Sequence, residues 1–277
     1  MVFIAGLLAS CQKNINDPSF IPAKTELNVA YGTDSMQKMD VYLPANRNTE
    51  ATPVIILIHG GAWASGDKSD FTPYVDSIRQ RLPEYAIFNI NYRLSNSTSI
   101  FFPSQENDVK AAADFIYNLS AQYKVSGRWV ILGASAGAHL ALLQSYKYGT
   151  PVKVKAVVDL FGPTDMTDLY NHPASPLVPS SAIALIVGAT PSSNPALYQQ
   201  SSPINFVNAQ SPPTILFHGG LDPLVSPSQS IALSNALQAA GVEQQYVFYP
   251  TEFHGWTGPN LTDTFDKIAE FLRNKVH

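Results

Sequence analysis

Three short segments carry side chains whose types and order suit nucleophilic chemistry at a carbonyl. The first is Gly133-Ala134-Ser135-Ala136-Gly137, a fit to G-x-S-x-G. An apolar run over 128–132 reads as a strand before it, and an Ala/Leu-rich segment after it reads as a helix. A serine on such a turn exposes its hydroxyl. The flanking glycines remove Cβ atoms that would crowd strand against helix. The second segment is the strand-like 214–217 followed by a turn with Asp222, and the third is 245–249 followed by a loop with His254. Both residues fall just past the C-terminal ends of strands, where open α/β sheets gather catalytic groups. Alone, Asp222 reads as a turn residue before Pro223, and His254 as a loop histidine. In the order Ser, Asp, His they argue for a triad in which His254 takes the Ser135 proton and Asp222 orients His254.

A fourth segment supplies what a triad lacks. The apolar strand 54–58 runs into His59-Gly60-Gly61-Ala62-Trp63, an HGGG-type loop with alanine at the last small position. Tetrahedral intermediates need preorganised N–H donors, and losing one donor costs on the order of 10²–10³ in rate. His59 precedes the serine, so it is expected to hold the loop by hydrogen bonds and not to act as the base. Gly60 and Trp63 are read as loop support, Trp63 by packing.

These motifs resemble the α/β-hydrolase superfamily, specifically its HGGxW esterase branch. That branch includes hormone-sensitive-lipase-like esterases, kynurenine formamidases and bacterial feruloyl or acetyl-xylan esterases. The resemblance is carried by His59 to Trp63, Asn91-Tyr92-Arg93-Leu94, Gly133 to His139, and the Asp222 and His254 loops, and it spans about residues 26–275. It implies Ser135 as nucleophile, His254 as base and Asp222 as orienter. It also implies oxyanion donors from the N–H groups of Gly61, Ala62 and Ala136. Asn91-Tyr92-Arg93-Leu94-Ser95 lacks the Ala-Pro-Glu continuation of the hormone-sensitive-lipase pattern, and that group's long N-terminal cap is missing. Both departures favour the feruloyl/acetyl-xylan or formamidase side.

Composition agrees with one α/β domain. The chain has 277 residues, 45% of them hydrophobic, enough for a large core. Net charge is −4 and the basic residues are scattered, which gives no footprint for nucleic acid. No segment approaches the roughly 18 apolar residues of a membrane span. No His/Cys/Asp cluster has metal spacing and no Gly-rich phosphate loop occurs.

The elements that must position these residues read as a hairpin (26–31 and 36–43) and strands at 54–58, 85–91, 128–132, 155–160, 214–217 and 245–249. Helices are expected at 70–82, 104–123, 138–146, 228–240 and 262–274. The alternation predicts a mostly parallel eight-stranded sheet with an N-terminal antiparallel hairpin and helices on both faces, which agrees with the α/β-hydrolase fold that the resemblance implies. Residues 162–208, rich in Pro, Ser and Asn, interrupt it. They are expected to be a long irregular cap-like insertion over the active-site edge, with a short apolar helix at 182–187. Within it, Asp165 reads as a capping residue and His172 as a surface histidine. His139 reads as packed on the helix after the elbow.

The single cysteine follows an apolar stretch in Leu8-Ala9-Ser10-Cys11, which resembles a bacterial lipobox, although the usual positive start is missing. The expectation is a lipidated Cys11 with residues 1–25 as signal and tether, which places the protein in the bacterial cell envelope or secreted. Together these readings give a cofactor-free serine esterase acting on acetyl or feruloyl esters of plant polysaccharide, with an arylformamidase as the alternative. A non-catalytic binding module is disfavoured because such modules lose triad or oxyanion residues.

Overall fold

The structure, a computed structural model, describes residues 19–96 and 98–277. Cys11 lies outside them. Among the described residues one sheet of eight strands forms the frame: β1 Lys24–Ala30, β2 Lys38–Leu43, β3 Val54–Ile58, β4 Ala86–Ile90, β5 Trp129–Ala134, β6 Val154–Leu160, β7 Thr214–Gly219 and β8 Gln244–Tyr249, in the order β1-β2-β4-β3-β5-β6-β7-β8. The hairpin β1–β2 is antiparallel, and β2 is antiparallel to β4, with Met39 opposite Ile90. All later pairings are parallel.

Central strands read as continuous apolar runs because both faces are covered. All five residues of β3 are buried. Ile56 and Ile58 join a core with Val109, Leu140 and Leu233, while Ile55 and Leu57 join one with Val75, Phe265 and Ile268. Thus α2 (Ser104–Asn118), α4 (Ala136–Lys147) and α8 (Ser228–Ala239) cover one face, and α1 (Thr72–Arg81) and α9 (Gly258–Lys275) the other. The period-2 alternation of each strand divides its residues between the two cores.

Three expectations change. The helix expected over 70–82 is a 3-10 turn, Lys68–Phe71, running into α1, because Asp67 and Asp70 close a capping box one turn earlier. The helix expected over 104–123 breaks at Leu119, and a short α3 (Ser120–Tyr123) ends on Lys124 in the left-handed region. About half of the insertion 162–208 is helical: α5 (Met166–Asn171), α6 (Ser180–Val187), α7 (Pro195–Gln200) and a 3-10 turn, Pro203–Phe206. Its Asp, Asn and Pro residues serve as helix starts. Asp165 caps the amides of Thr167 and Asp168, Asn194 caps that of Leu197, and Pro195 takes the first helical position, where no N–H is needed. No helix among the described residues is long and apolar enough to cross a membrane.

Candidate active site

The chain turns sharply at the end of β5. Ser135 has φ 54°, ψ −122°, and α4 starts at the next residue. A Cβ on Gly133 would lie 2.2 Å from backbone atoms of Gly137, and one on Gly137 would lie 2.1 Å from the Ile58 carbonyl oxygen. Strand and helix therefore meet at a separation only glycine allows. Ala62, Trp63 and Phe161 also hold positive φ, so four non-glycine residues in this backbone state surround one site. Such a concentration marks backbone fixed by its surroundings for a purpose.

His254 Nε2 lies 2.8 Å from Ser135 Oγ, and His254 Nδ1 lies 2.7 Å from Asp222 Oδ2. A carboxylate only accepts, so Nδ1 carries the proton and Nε2 accepts from the serine hydroxyl. This is the tautomer a base needs. Asp222 is buried, which alone raises its pKa. Hydrogen bonds from His218 and His254, the charge of His254 and the Val225 amide outweigh burial and hold it well below the usual carboxylate range. Its Oδ1 accepts the amides of Leu224 and Val225 at 2.8 and 3.0 Å. Phe161, which the sequence did not single out, packs edge-on against His254 at 4.7 Å between centroids. Its only sequence-level mark is its place at the end of β6.

The loop from His59 to Gly66 faces Ser135. Gly61 has φ 106°, and a Cβ there would meet the Ser65 carbonyl oxygen at 2.1 Å. The Gly61 carbonyl accepts from the Ala64 and Ser65 amides, whereas the Gly61 and Ala62 amides have no backbone acceptor among the described residues. The Ala136 amide opens α4, where first-turn N–H groups have no intrahelical partner. His59 is fully buried. Its Nδ1 bonds the Gly60 carbonyl at 2.7 Å, and its ring stacks on Tyr92 at 4.5 Å. Burial lowers its pKa, which keeps it neutral. The Tyr92 hydroxyl in turn donates to the carbonyls of His59 and Gly60.

Trp63 does more than pack. Its Nε1–H donates to His139 Nδ1 at 3.1 Å, so His139 Nε2 carries the proton and donates to the Ser201 carbonyl at 2.7 Å. Burial pushes the His139 pKa down to about 4, so the ring stays neutral and can serve as this acceptor–donor bridge. Loop, α4 and insertion are thereby tied through one imidazole. Asp165 and His172 stand apart from the site. Asp165 caps α5, and His172 sits exposed beside Asp168.

A cavity of about 370 Å³ opens over Ser135 and His254, walled by Gly60, Gly61, Ala62 and Trp63 and by the apolar side chains of Phe161, Leu169, Val178, Ile183, Leu224 and Val225. A second apolar hollow, about 390 Å³, shares Ala62, Trp63, Val178 and Ile183 with it. Leu169, Val178 and Ile183 come from the insertion, which therefore forms one wall. A cleft of about 470 Å³ beside Tyr42, Arg79 and Tyr85 shares no residue with the site. Among the described residues no three His, Cys, Asp or Glu side chains gather to hold a metal.

Residues 39–237 match the model of the BD-FAE family. Among curated proteins the chain is 29% identical over 216 residues to the esterase LipQ of Mycobacterium tuberculosis, covering 74% of this chain and 50% of that one. It is 27% identical over 265 residues to the esterase LipC of the same organism, covering 90% and 64%. The chain thus spans between half and two thirds of the length of these relatives. Among solved structures it is similar to a bifunctional GH43-CE protein of Bacteroides eggerthii, with TM-score 0.77, 29% identity and coverage of 90% of this chain and 38% of that one. It is also similar to a truncated carbohydrate esterase from gut microbiota, with TM-score 0.75, 27% identity and coverage of 91% and 95%.

Proposed function

The chain belongs to the BD-FAE family, an α/β-hydrolase family of esterases, and from that premise we propose that it is a serine carboxylic ester hydrolase working through an acyl-enzyme. The observation that carries this reading is the hydrogen-bonded line Asp222–His254–Ser135 opening into an apolar cavity beside unpaired backbone amides. His254 takes the Ser135 proton as Oγ attacks the ester carbonyl. The oxyanion rests on the N–H groups of Gly61, Ala62 and Ala136. The C–O bond breaks and the alcohol leaves with the proton held by His254. Water then loses a proton to His254 and attacks the acyl-enzyme, and Ser135 Oγ recovers that proton as the acid departs. Asp222 stays ionised throughout.

The substrate class we propose is an acetyl or feruloyl ester of plant polysaccharide. The similarity to a carbohydrate esterase from gut microbiota supports the polysaccharide side. Within that class the apolar walls and the adjoining hollow favour a bulky aromatic acyl group over acetyl, because an acetyl group would leave most of the two hollows unfilled. We assign the insertion 162–208 as the cap that forms one wall of this pocket. We further propose that Cys11 is lipidated and attaches the enzyme to the cell envelope through the residues up to 25. This rests on the lipobox-like Leu8-Ala9-Ser10-Cys11 alone.

Hydrolysis of p-nitrophenyl acetate, p-nitrophenyl octanoate, methyl ferulate, acetylated xylan and N-formylkynurenine tests the reading. Methyl ferulate is expected to lead, with less turnover of acetylated xylan and little of the octanoate. Dominant turnover of N-formylkynurenine would move the chain to amide hydrolysis, and silence across the panel in folded protein would overturn the enzyme assignment. For the anchor, Cys11→Ala is expected to move the protein from the membrane to the soluble fraction, and unchanged fractionation would refute lipidation.

A further inference from the structure

Asp222 is shared. The oxygen that faces His254, Oδ2, also lies 3.2 Å from Nε2 of a second imidazole, His218, whose side chain is fully buried. His218 stands near the end of β7, four residues before Asp222. Its Nε2 is 2.9 Å from the Val225 carbonyl, and its Nδ1 is 2.7 Å from the Ser230 hydroxyl on α8. The Val225 carbonyl only accepts, so Nε2 carries the proton; it donates to that carbonyl and lies 3.2 Å from Asp222 Oδ2. Ser230 is fully buried and fixes the other end of the ring.

The two oxygens of Asp222 are held differently. Oδ1 is pinned by the amides of Leu224 and Val225, two and three residues along the same loop. Those bonds fix where the carboxylate sits. They leave its plane free to turn, because the terminal torsion of an aspartate is broad. A donor on Oδ2 removes that freedom, and His218 is set on a strand while Asp222 is on a loop. The direction of the Oδ2 lone pairs decides whether His254 Nδ1–H points at the carboxylate and whether its Nε2 points at Ser135.

We propose that His218 is a positioning residue of the triad: its Nε2–H fixes the plane of the Asp222 carboxylate, and with it the orientation of His254. The inference rests on the serine-hydrolase reading above. His218 acts through Asp222 and has no place in the wall of the catalytic cavity. The charged or titratable groups around it are Asp222 on the loop after β7, His254 beyond that carboxylate and Asp159 near the end of β6, on which His218 acts electrostatically.

The test compares His218→Leu with His218→Gln, since the Gln Nε2 amide can replace the imidazole Nε2–H whereas Leu cannot. Both are assayed on the best ester of the panel, with unfolding monitored by urea. In His218→Leu, kcat is expected to fall about 10- to 100-fold, the scale of a misplaced catalytic group, with KM within about twofold. The acid limb of kcat/KM is expected to move to higher pH, because a carboxylate with one donor fewer favours the imidazolium of His254 more strongly. His218→Gln is expected to recover most of the activity and the original limb. Should His218→Leu not fold, Ser230→Ala frees the far end of the ring and is expected to lower kcat several-fold at constant KM. A wild-type kcat and pH profile in a folded His218→Leu, or in Ser230→Ala, overturns the inference, as does equal impairment of the Leu and Gln variants. A wild-type protein inactive on every ester would instead overturn the serine-hydrolase reading.

Discussion

Gly137→Ala sets two known effects against each other at the turn that carries Ser135. Gly137 lies in the first turn of α4, where alanine in place of glycine ordinarily stabilises a helix by up to about 1 kcal/mol. Here the new methyl would stand 2.1 Å from the Ile58 carbonyl oxygen, 2.4 Å from that of His59 and 2.7 Å from the Ile58 carbonyl carbon. Ordinary contact begins near 3.4 Å, and every opposing atom is backbone of β3 or of the loop that follows it. Relief requires helix and strand to separate by about 1 Å in a close-packed interior. Overpacking of this kind costs about 1–3 kcal/mol, sometimes more, so it outweighs the helix gain. The displaced segments carry Ser135 on one side and His59 to Gly61 on the other. A misplacement of about 1 Å between nucleophile and oxyanion donors costs on the order of 10²-fold in kcat. Urea unfolding and ester turnover read the two losses separately. Gly127→Ala, where nothing lies within 4 Å of the new methyl, is the control and is expected to stay within about 0.5 kcal/mol of wild type. A Gly137→Ala protein as stable and as active as wild type would refute the close-approach argument.

Two other substitutions probe buried polar groups. Trp63→Phe leaves His139 Nδ1 without its donor in a fully buried position, and a loss of about 1–3 kcal/mol in urea unfolding with a lowered kcat is expected. Unchanged stability and turnover would mean that the bridge to Ser201 does not hold the loop. Asp159 has one oxygen on the Gly162 amide and the other without a partner among the described residues. Burial raises its pKa from 3.8 to about 7. Between those pH values the folded protein keeps a proton that the unfolded chain has lost, so this group's contribution to stability falls as pH rises through the window. Asp159→Asn removes that dependence. Its stability relative to wild type is expected to rise between pH 4 and 7 by at most about 4 kcal/mol. His139, pushed down to about 4, titrates with the opposite sign in both proteins and cancels in the difference. A difference between Asp159→Asn and wild type that stays flat across this range would show that Asp159 is ionised in the fold.

Much of the frame was legible in the sequence because the relevant signals are local. Apolar runs such as Val54 to Ile58 mark strands buried on both faces, and residues just past their ends mark the site edge. That is why Ser135, Asp222 and His254, up to 119 residues apart along the chain, were found in order and meet at hydrogen-bond distance. The insertion reads as irregular in the sequence because Asn194-Pro195 and Asp165 are turn formers by composition, whereas in the fold they are helix starts by position. Phe161 has no sequence mark beyond its place after β6, since its part depends on a backbone angle set by tertiary contacts. Trp63 shows only its packing role in the sequence because its hydrogen bond to His139 joins residues 76 apart. His218 did carry a signal, the same His-Gly-Gly run that opens the loop at His59, but a strand-end histidine has no visible partner until the turn to Asp222 is folded.

The central claim is that Ser135 is the nucleophile. Its most direct test is mass spectrometry of the intact, folded protein after reaction with a fluorophosphonate, run beside Ser135→Ala. The account expects a single adduct on Ser135 in the wild type. It expects neither adduct nor ester turnover in the variant, with the variant's unfolding midpoint unchanged. An adduct on another residue, or ester hydrolysis retained by folded Ser135→Ala, would contradict it.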